Sequence, residues 1–172
     1  MQRQVPDIIN LTLLSDFIIQ VIDLLVTKYL FLVYPNATPG QITWAKSRSV
    51  CNPTLGTLSA RSLSLQKYML SMSPKLEASI QSYIEHSKDV PYAQLVVETW
   101  NWDPPKPLCD LFEAVIGAIF VDTGFDLQRT FEVLEPLISE VLSVVSPNMP
   151  RDPITELMIW SARGGCIRTK FK

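Results

Sequence analysis

The chain is short of glycine, with six residues against thirteen prolines in 172. A sandwich or barrel built on tight hairpins needs many glycine turns, so this balance favours helices punctuated by proline-bearing loops. Histidine is scarcer still, with His86 alone, and the three cysteines, Cys51, Cys109 and Cys166, lie far apart without a C-x-x-C pair. One imidazole and scattered thiols are too few ligands at any useful spacing for a structural zinc site. An odd cysteine count and the lack of a secretory signal favour a reducing, intracellular setting, cytosol or nucleus. The sequons Asn10-Leu11-Thr12 and Asn36-Ala37-Thr38 are read as chance on the same ground. Long uncharged apolar runs are missing too. The most hydrophobic stretch, Leu11 to Tyr34, carries Asp16, Gln20, Asp23 and Lys28. Each charge at a bilayer centre costs roughly 2.5–3.5 kcal/mol on insertion scales. The stretch reads as a buried helix, and no membrane partner is expected.

What is present is core material. With 47% hydrophobic and 19% charged residues, disordered, collagen-like and coiled-coil classes are excluded. A formal net charge of −2 gives no whole-chain basic field for nucleic acid. The distribution is uneven: residues 1–150 hold ten Lys and Arg against fifteen Asp and Glu, and residues 151–172 hold five against two. A mildly basic tail on an acidic body hints at a second module, or is simply a solvated end.

The predicted elements are helical. An apolar face recurs from Ile8 to Val33 and stops at Tyr34-Pro35-Asn36. Thr38-Pro39 opens a helix to about Val50, and Asn52-Pro53 restarts one that carries Leu55, Leu58, Leu63 and Leu65. Ser73-Pro74 begins another, to about His86. A connection over 87–105, with Trp100 and Trp102, has room for a short helix at 93–98. The tryptophans read as packing residues in preference to a base-stacking platform. Helices follow over 108–121, ended by Thr123-Gly124, and over 126–145, with a kink or break near Pro136. Residues 146–151 read as a linker, and Asp152-Pro153 caps a last helix to about Ala162. The one strand-like pattern is Cys166–Phe171. The expected fold is all-α.

One stretch carries chemistry: Lys106-Pro107-Leu108-Cys109-Asp110-Leu111-Phe112-Glu113, followed by Ala114, Gly117 and Ala118. Asp110 and Glu113 stand three apart near the positive end of an otherwise apolar helix, so both carboxylates project from one face. Two convergent oxygen donors suit Mg²⁺, whose remaining sites go to water and substrate phosphate. Lys106, one turn upstream, offers a point charge to a phosphate. Ala114, Gly117 and Ala118 form a small-residue stripe for close approach of another helix. The plain alternative is that acids in the first turns of a helix complement its dipole. His86 has no nucleophile nearby and reads as non-catalytic. Lys46, Arg48 and Asn52 sit at one helix end, where a structural role outweighs RNA contact.

The stretch Pro104–Asp122 resembles the second catalytic signature of ribonuclease III domains, in the lysine-bearing form of Dicer-like proteins. Its Asp and Glu fall without gaps on Asp110 and Glu113, and its helix-packing Gly-Ala on Gly117-Ala118; Cys109 stands where the family commonly has Gly or Ala. Val21–Leu30, Tyr34–Gly40, Lys46-Ser47-Arg48 with Asn52, and Gln66-Lys67-Tyr68 are similar to the family as well. Asp152–Leu157 through Gly165-Cys166 resembles the opening of the double-stranded-RNA-binding domain that follows the last such nuclease domain. The likeness is nearest to the C-terminal part of a fungal-type Dicer-like protein. It implies an all-α ribonuclease III endonuclease domain over 21–145, a linker over 146–151, and a truncated start of the RNA-binding domain over 152–172. The implied activity is metal-dependent cleavage of double-stranded RNA in RNA processing or silencing. Mg²⁺, with Mn²⁺ as substitute, would be held by four carboxylates per domain. Two domains pair, so a homodimer or a second ribonuclease III domain is expected as partner. Asp110, Glu113 and Lys106 are the implied catalytic residues, and Arg163, Arg168 and Lys170 the expected RNA contacts.

The first signature of the family, Leu-Glu-Phe-Leu-Gly-Asp, has no clean match. Its nearest counterpart, Leu11–Asp16, has Thr12 for the Glu and three extra residues before the matching helix. At about 100° and 1.5 Å per residue, this turns Asp16 some 60° off the expected face and moves it about 4.5 Å along the axis. Counting back from Asp23 instead places the family's Asp on Ile19 and its Glu on Ser15. Residues 1–20 therefore read as an atypical segment, diverged or foreign to the family, with Asp16 as a third metal ligand and Asp23 as a partial substitute. The expected consequence is impaired cleavage. The alternative is an inactive dimerisation or RNA-binding adaptor.

Overall fold

Four helix starts in this chain are set by side-chain caps. The Thr38 side chain accepts from the Gln41 backbone N–H while the Gln41 side chain accepts from the Thr38 N–H, a reciprocal capping box. Ser73 accepts from the Leu76 N–H, Asp126 from those of Gln128 and Arg129, and Asp152 from that of Thr155. The computed structural model describes residues 11–70 and 73–165, with side chains from Ile18 to Arg163. Eight α-helices run α1 Leu11–Val33, α2 Pro39–Ser49, α3 Asn52–Thr57, α4 Pro74–Ser87, α5 Tyr92–Val97, α6 Lys106–Asp122, α7 Leu127–Val144 and α8 Pro153–Trp160, with no strand among the described residues. The strand-like pattern at 166–171 lies outside them.

The core is an apolar seam between α1, α6 and α7. Ile18, Val21, Ile22, Leu25, Val26 and Leu30 of α1 pack with Phe112, Ile116 and Phe120 of α6 and Leu134, Ile138 and Val141 of α7. Each such side chain contributes about 1.5–3 kcal/mol by leaving water. A smaller cluster of Ala60, Ile80, Tyr83 and Leu108 brings α4 against the start of α6.

Two expected elements differ. The helix after Asn52 does not carry through to Leu65: Leu58–Ser62 widens into a π turn closed by Leu63 N–H on the Leu58 carbonyl (3.1 Å), and Ser64 is left-handed (φ 52°). A separate 3₁₀ turn, Leu65–Tyr68, follows. α7, by contrast, runs unbroken through Pro136. Pro136 is exposed, so the carbonyl its ring leaves unpaired stays with solvent.

Residues 146–151 are strapped to the body. Met149 is buried, its carbonyl accepts from Trp44 Nε1 (3.3 Å), and Gln41 Nε2 donates to Asn148 Oδ1 (3.1 Å). The Arg48 guanidinium lies over Trp44 (4.5 Å) and Trp100 (5.2 Å), pairs with Asp152 (3.3 Å) and bonds Thr99. Lys46 pairs with Asp23 at 2.5 Å, tying α2 to α1. Lys46, Arg48 and Trp100 are thus used structurally. α8 buries none of its residues, leaving Ile154, Leu157, Met158 and Trp160 exposed.

Candidate active site

α6 begins at Lys106, with Pro107 inside its first turn. Two close approaches fix its position. A Cβ on Gly117 would lie 3.0 Å from Ile18 Cγ1 of α1, and one on Gly56 of α3 would lie 2.7 Å from Pro104 Cγ. Only Gly117 of the small-residue stripe receives a helix in this way, since Ala114 and Ala118 are exposed.

The start at Lys106 puts Asp110 and Glu113 beyond the first turn, which holds no acidic residue. Dipole complementarity falls off within that turn, so it does not account for the pair. Nor does it account for burial: Glu113 is 5% exposed, where an acid that merely complements a dipole would sit in water. Cys109, Asp110 and Glu113 each present a ligand atom, all within 4.8 Å of one another. The two carboxylates converge, as expected from their spacing.

Their surroundings differ. Asp110 faces solvent and pairs with Lys106 Nζ at 2.5 Å, and that hydrogen bond raises the Lys106 pKa. Glu113 lies inward. Cys109 Sγ donates toward Glu113 Oε1 (3.4 Å) on the next turn and toward Asn52 Oδ1 (3.3 Å) at the start of α3. Burial, and then the charge of Glu113, push the Cys109 thiol up, which keeps it protonated and a donor. The site thus gathers Lys106, Cys109, Asp110 and Glu113 from α6 and Asn52 from α3. Sequence reasoning did not place Asn52 here. Its approach to Cys109 spans 57 residues, and no local period reports such a contact.

Other candidates fall elsewhere. Asp23 is committed to Lys46. Asp16 belongs to α1 by its backbone, but its side chain and that of Thr12 lie outside the described residues. Arg163 is exposed in the turn after α8; Arg168 and Lys170 lie outside the described residues. His86 Nδ1 donates to the Ser82 carbonyl at 2.7 Å. An open groove of about 1160 Å³ leads away from Asn52 and Lys106 along α4, lined by Lys75, Ser79, Ser82 and His86.

A helical body in which a buried Glu113 converges with a solvent-facing Asp110 defines a class. Residues 20–124 match the ribonuclease III domain family, and the chain belongs to that family. Among curated relatives, "Endoribonuclease dcr-1" of Caenorhabditis elegans is 29% identical over 153 residues, covering 80% of this chain and 8% of the relative. "Endoribonuclease Dicer homolog 4" of rice is 32% identical over 139 residues, with the same two shares. "Protein Dicer" of Schizosaccharomyces pombe is 38% identical over 118 residues, 66% of this chain and 8% of the relative. The chain therefore spans about 8% of the length of these relatives. The family match begins at residue 20 and leaves Thr12 and Asp16 outside it. Among the described residues, no helix is long and apolar enough to cross a membrane.

Proposed function

We propose that this chain is a Dicer-like ribonuclease III domain whose reaction is divalent-metal-dependent endonucleolytic cleavage of double-stranded RNA, at reduced turnover. The observation that carries this reading is the convergence of Asp110 with the buried Glu113 inside a ribonuclease III fold. The pair suits one hard ion such as Mg²⁺ or Mn²⁺, with water and phosphate completing its sphere. When bound, such an ion supplies positive charge beside the scissile phosphate and acidifies its water. Asp110 and Glu113 would hold it, and Lys106, paired with Asp110 at 2.5 Å, would offer its charge to a phosphate oxygen. The open groove along α4, with Lys75 and Lys106 on its walls, would give the cut strand a path away from the site. Arg163, Arg168 and Lys170 add backbone contacts. A second ribonuclease III domain, from a homodimer or another chain, attends to the other strand, and the work takes place in cytosol or nucleus.

Turnover is reduced because the nearest counterpart of the family's first signature, Leu11–Asp16, carries Thr12 where the family has Glu, which leaves a hard divalent ion short of oxygen donors. Asp23 is held by Lys46 and does not stand in. These two observations favour, as second reading, an inactive adaptor that pairs or binds duplex RNA. The test is cleavage of a long labelled RNA duplex by the purified chain in Mg²⁺ or Mn²⁺, beside Glu113→Ala. Slow, metal-dependent cutting that disappears in the variant supports the nuclease. No cutting by a folded chain favours the adaptor. Cutting that survives Glu113→Ala refutes the assigned site.

A further inference from the structure

Cys109 lies between a side-chain oxygen of Glu113 and one of Asn52. Its Sγ is 3.4 Å from Glu113 Oε1 and 3.3 Å from Asn52 Oδ1, and it is 1% exposed. A carboxylate and an amide oxygen only accept, so the hydrogen in this row belongs to the thiol. The row also joins two elements. Asn52 opens α3, and Glu113 sits inside α6. The Gly56–Pro104 approach presses α3 against the segment leading into α6, so Asn52 has little freedom to move away.

We propose that Cys109 is a positioning residue: its thiol bridges Asn52 and Glu113 and sets the orientation in which the buried carboxylate meets Asp110. This rests on the reading of Glu113 as a metal ligand. A buried carboxylate is free to turn about its last bond unless donors hold it, and partners that orient a ligand typically change metal affinity about 10- to 100-fold. Packing alone predicts a different outcome. If Cys109 only filled space, an apolar Ala would be tolerated at least as well as Ser, whose hydroxyl is unwelcome in an apolar cavity. If it donates a hydrogen bond, Ser keeps the bridge and Ala loses it.

Two measurements test this on the full chain. The first is Mn²⁺ binding, followed by the electron paramagnetic resonance of the free ion, for wild type, Cys109→Ala, Cys109→Ser and Glu113→Ala, with thermal unfolding of each. The expected order is wild type close to Cys109→Ser, Cys109→Ala weaker by about 10-fold, and Glu113→Ala weakest. Equal loss in Ala and Ser, or no loss in Ala, overturns the positioning role. Unchanged binding in Glu113→Ala, or no binding by wild type, overturns the metal reading instead. The second measurement needs no metal. The thiol S–H stretch falls in an infrared window free of other protein bands and moves down when the thiol donates. The single thiol hydrogen is shared between the two acceptors, so a lowered band that vanishes in Cys109→Ala, shifts in each of Asn52→Ala and Glu113→Ala, and rises to the free-thiol position only when both acceptors are removed supports the bridge. A band that ignores either acceptor overturns it.

Discussion

Two neighbouring side chains on α6 show how burial separates structure from chemistry. Lys106 and Asp110 form an ion pair whose side chains are 72% and 48% exposed. Exposed pairs contribute about 0–1 kcal/mol, so this one adds little to the fold. Lys106→Ala should leave the unfolding temperature nearly unchanged. If Lys106 meets a phosphate, the same substitution should weaken duplex RNA binding and lower its salt slope by about one. Binding isotherms at several salt concentrations, beside a thermal melt, check both halves. A large drop in melting temperature with an unaltered slope would make Lys106 structural. Glu113 is the opposite case: it is buried, and its surroundings matter more than its exposure. Its period on α6 placed it on the face of Asp110. Its depth, and the approach of Asn52, belong to α3–α6 packing, which no spacing rule contains.

At the scale of elements, the strap from Val145 to α8 depends on Asp152. That carboxylate accepts from the Thr155 N–H (2.9 Å) and Thr155 Oγ1 (2.6 Å) and meets Arg48 at 3.3 Å. The Thr155 bonds, with help from Arg48, lower its pKa. A lowered folded-state pKa gives stability that is present above the ordinary carboxylate value, about 4, and lost as pH falls through the lower folded value. Asp152→Ala should cost about 1 kcal/mol at neutral pH, as loss of a cap does, and the difference from wild type should shrink below about pH 4. Urea unfolding across that range measures it. A deficit independent of pH would mean that charge plays no part. The start of α8 was legible as Asp152-Pro153. The anchoring of that start to Arg48, itself stacked between Trp44 and Trp100, was not, because three distant segments meet there.

For the whole molecule, the proposed chemistry needs a second domain. An isolated chain that pairs with its own copy should show specific activity that rises with chain concentration, together with a dimer in sedimentation velocity. Activity that is independent of concentration in a monomeric sample would contradict pairing. The acidic body limits affinity as well. With seventeen acidic residues against fifteen basic, there is no broad field to hold a polyanion, so on the proposed reading duplex binding rests on local contacts such as Lys106 and Arg163.

The sequence by itself determined the helical class, the starts of α2, α4, α7 and α8, and the Asp110–Glu113 pair. Each of these is local: caps act within three residues, and an i,i+3 pair shares a face by helix geometry alone. It also carried the family likeness, because signature residues stand at fixed spacing within single helices. The tertiary structure alone decided where each acid stands and what it meets. It buried Glu113, left Asp110 in water, bound Asp23 to Lys46, and brought Asn52 to Cys109 across 57 residues. Those outcomes depend on how α1, α2 and α3 seat against one another and on α6, at contacts such as Gly117 on Ile18 and Gly56 on Pro104. Such seating is the sum of many side-chain fits across the chain and has no period to be read along it.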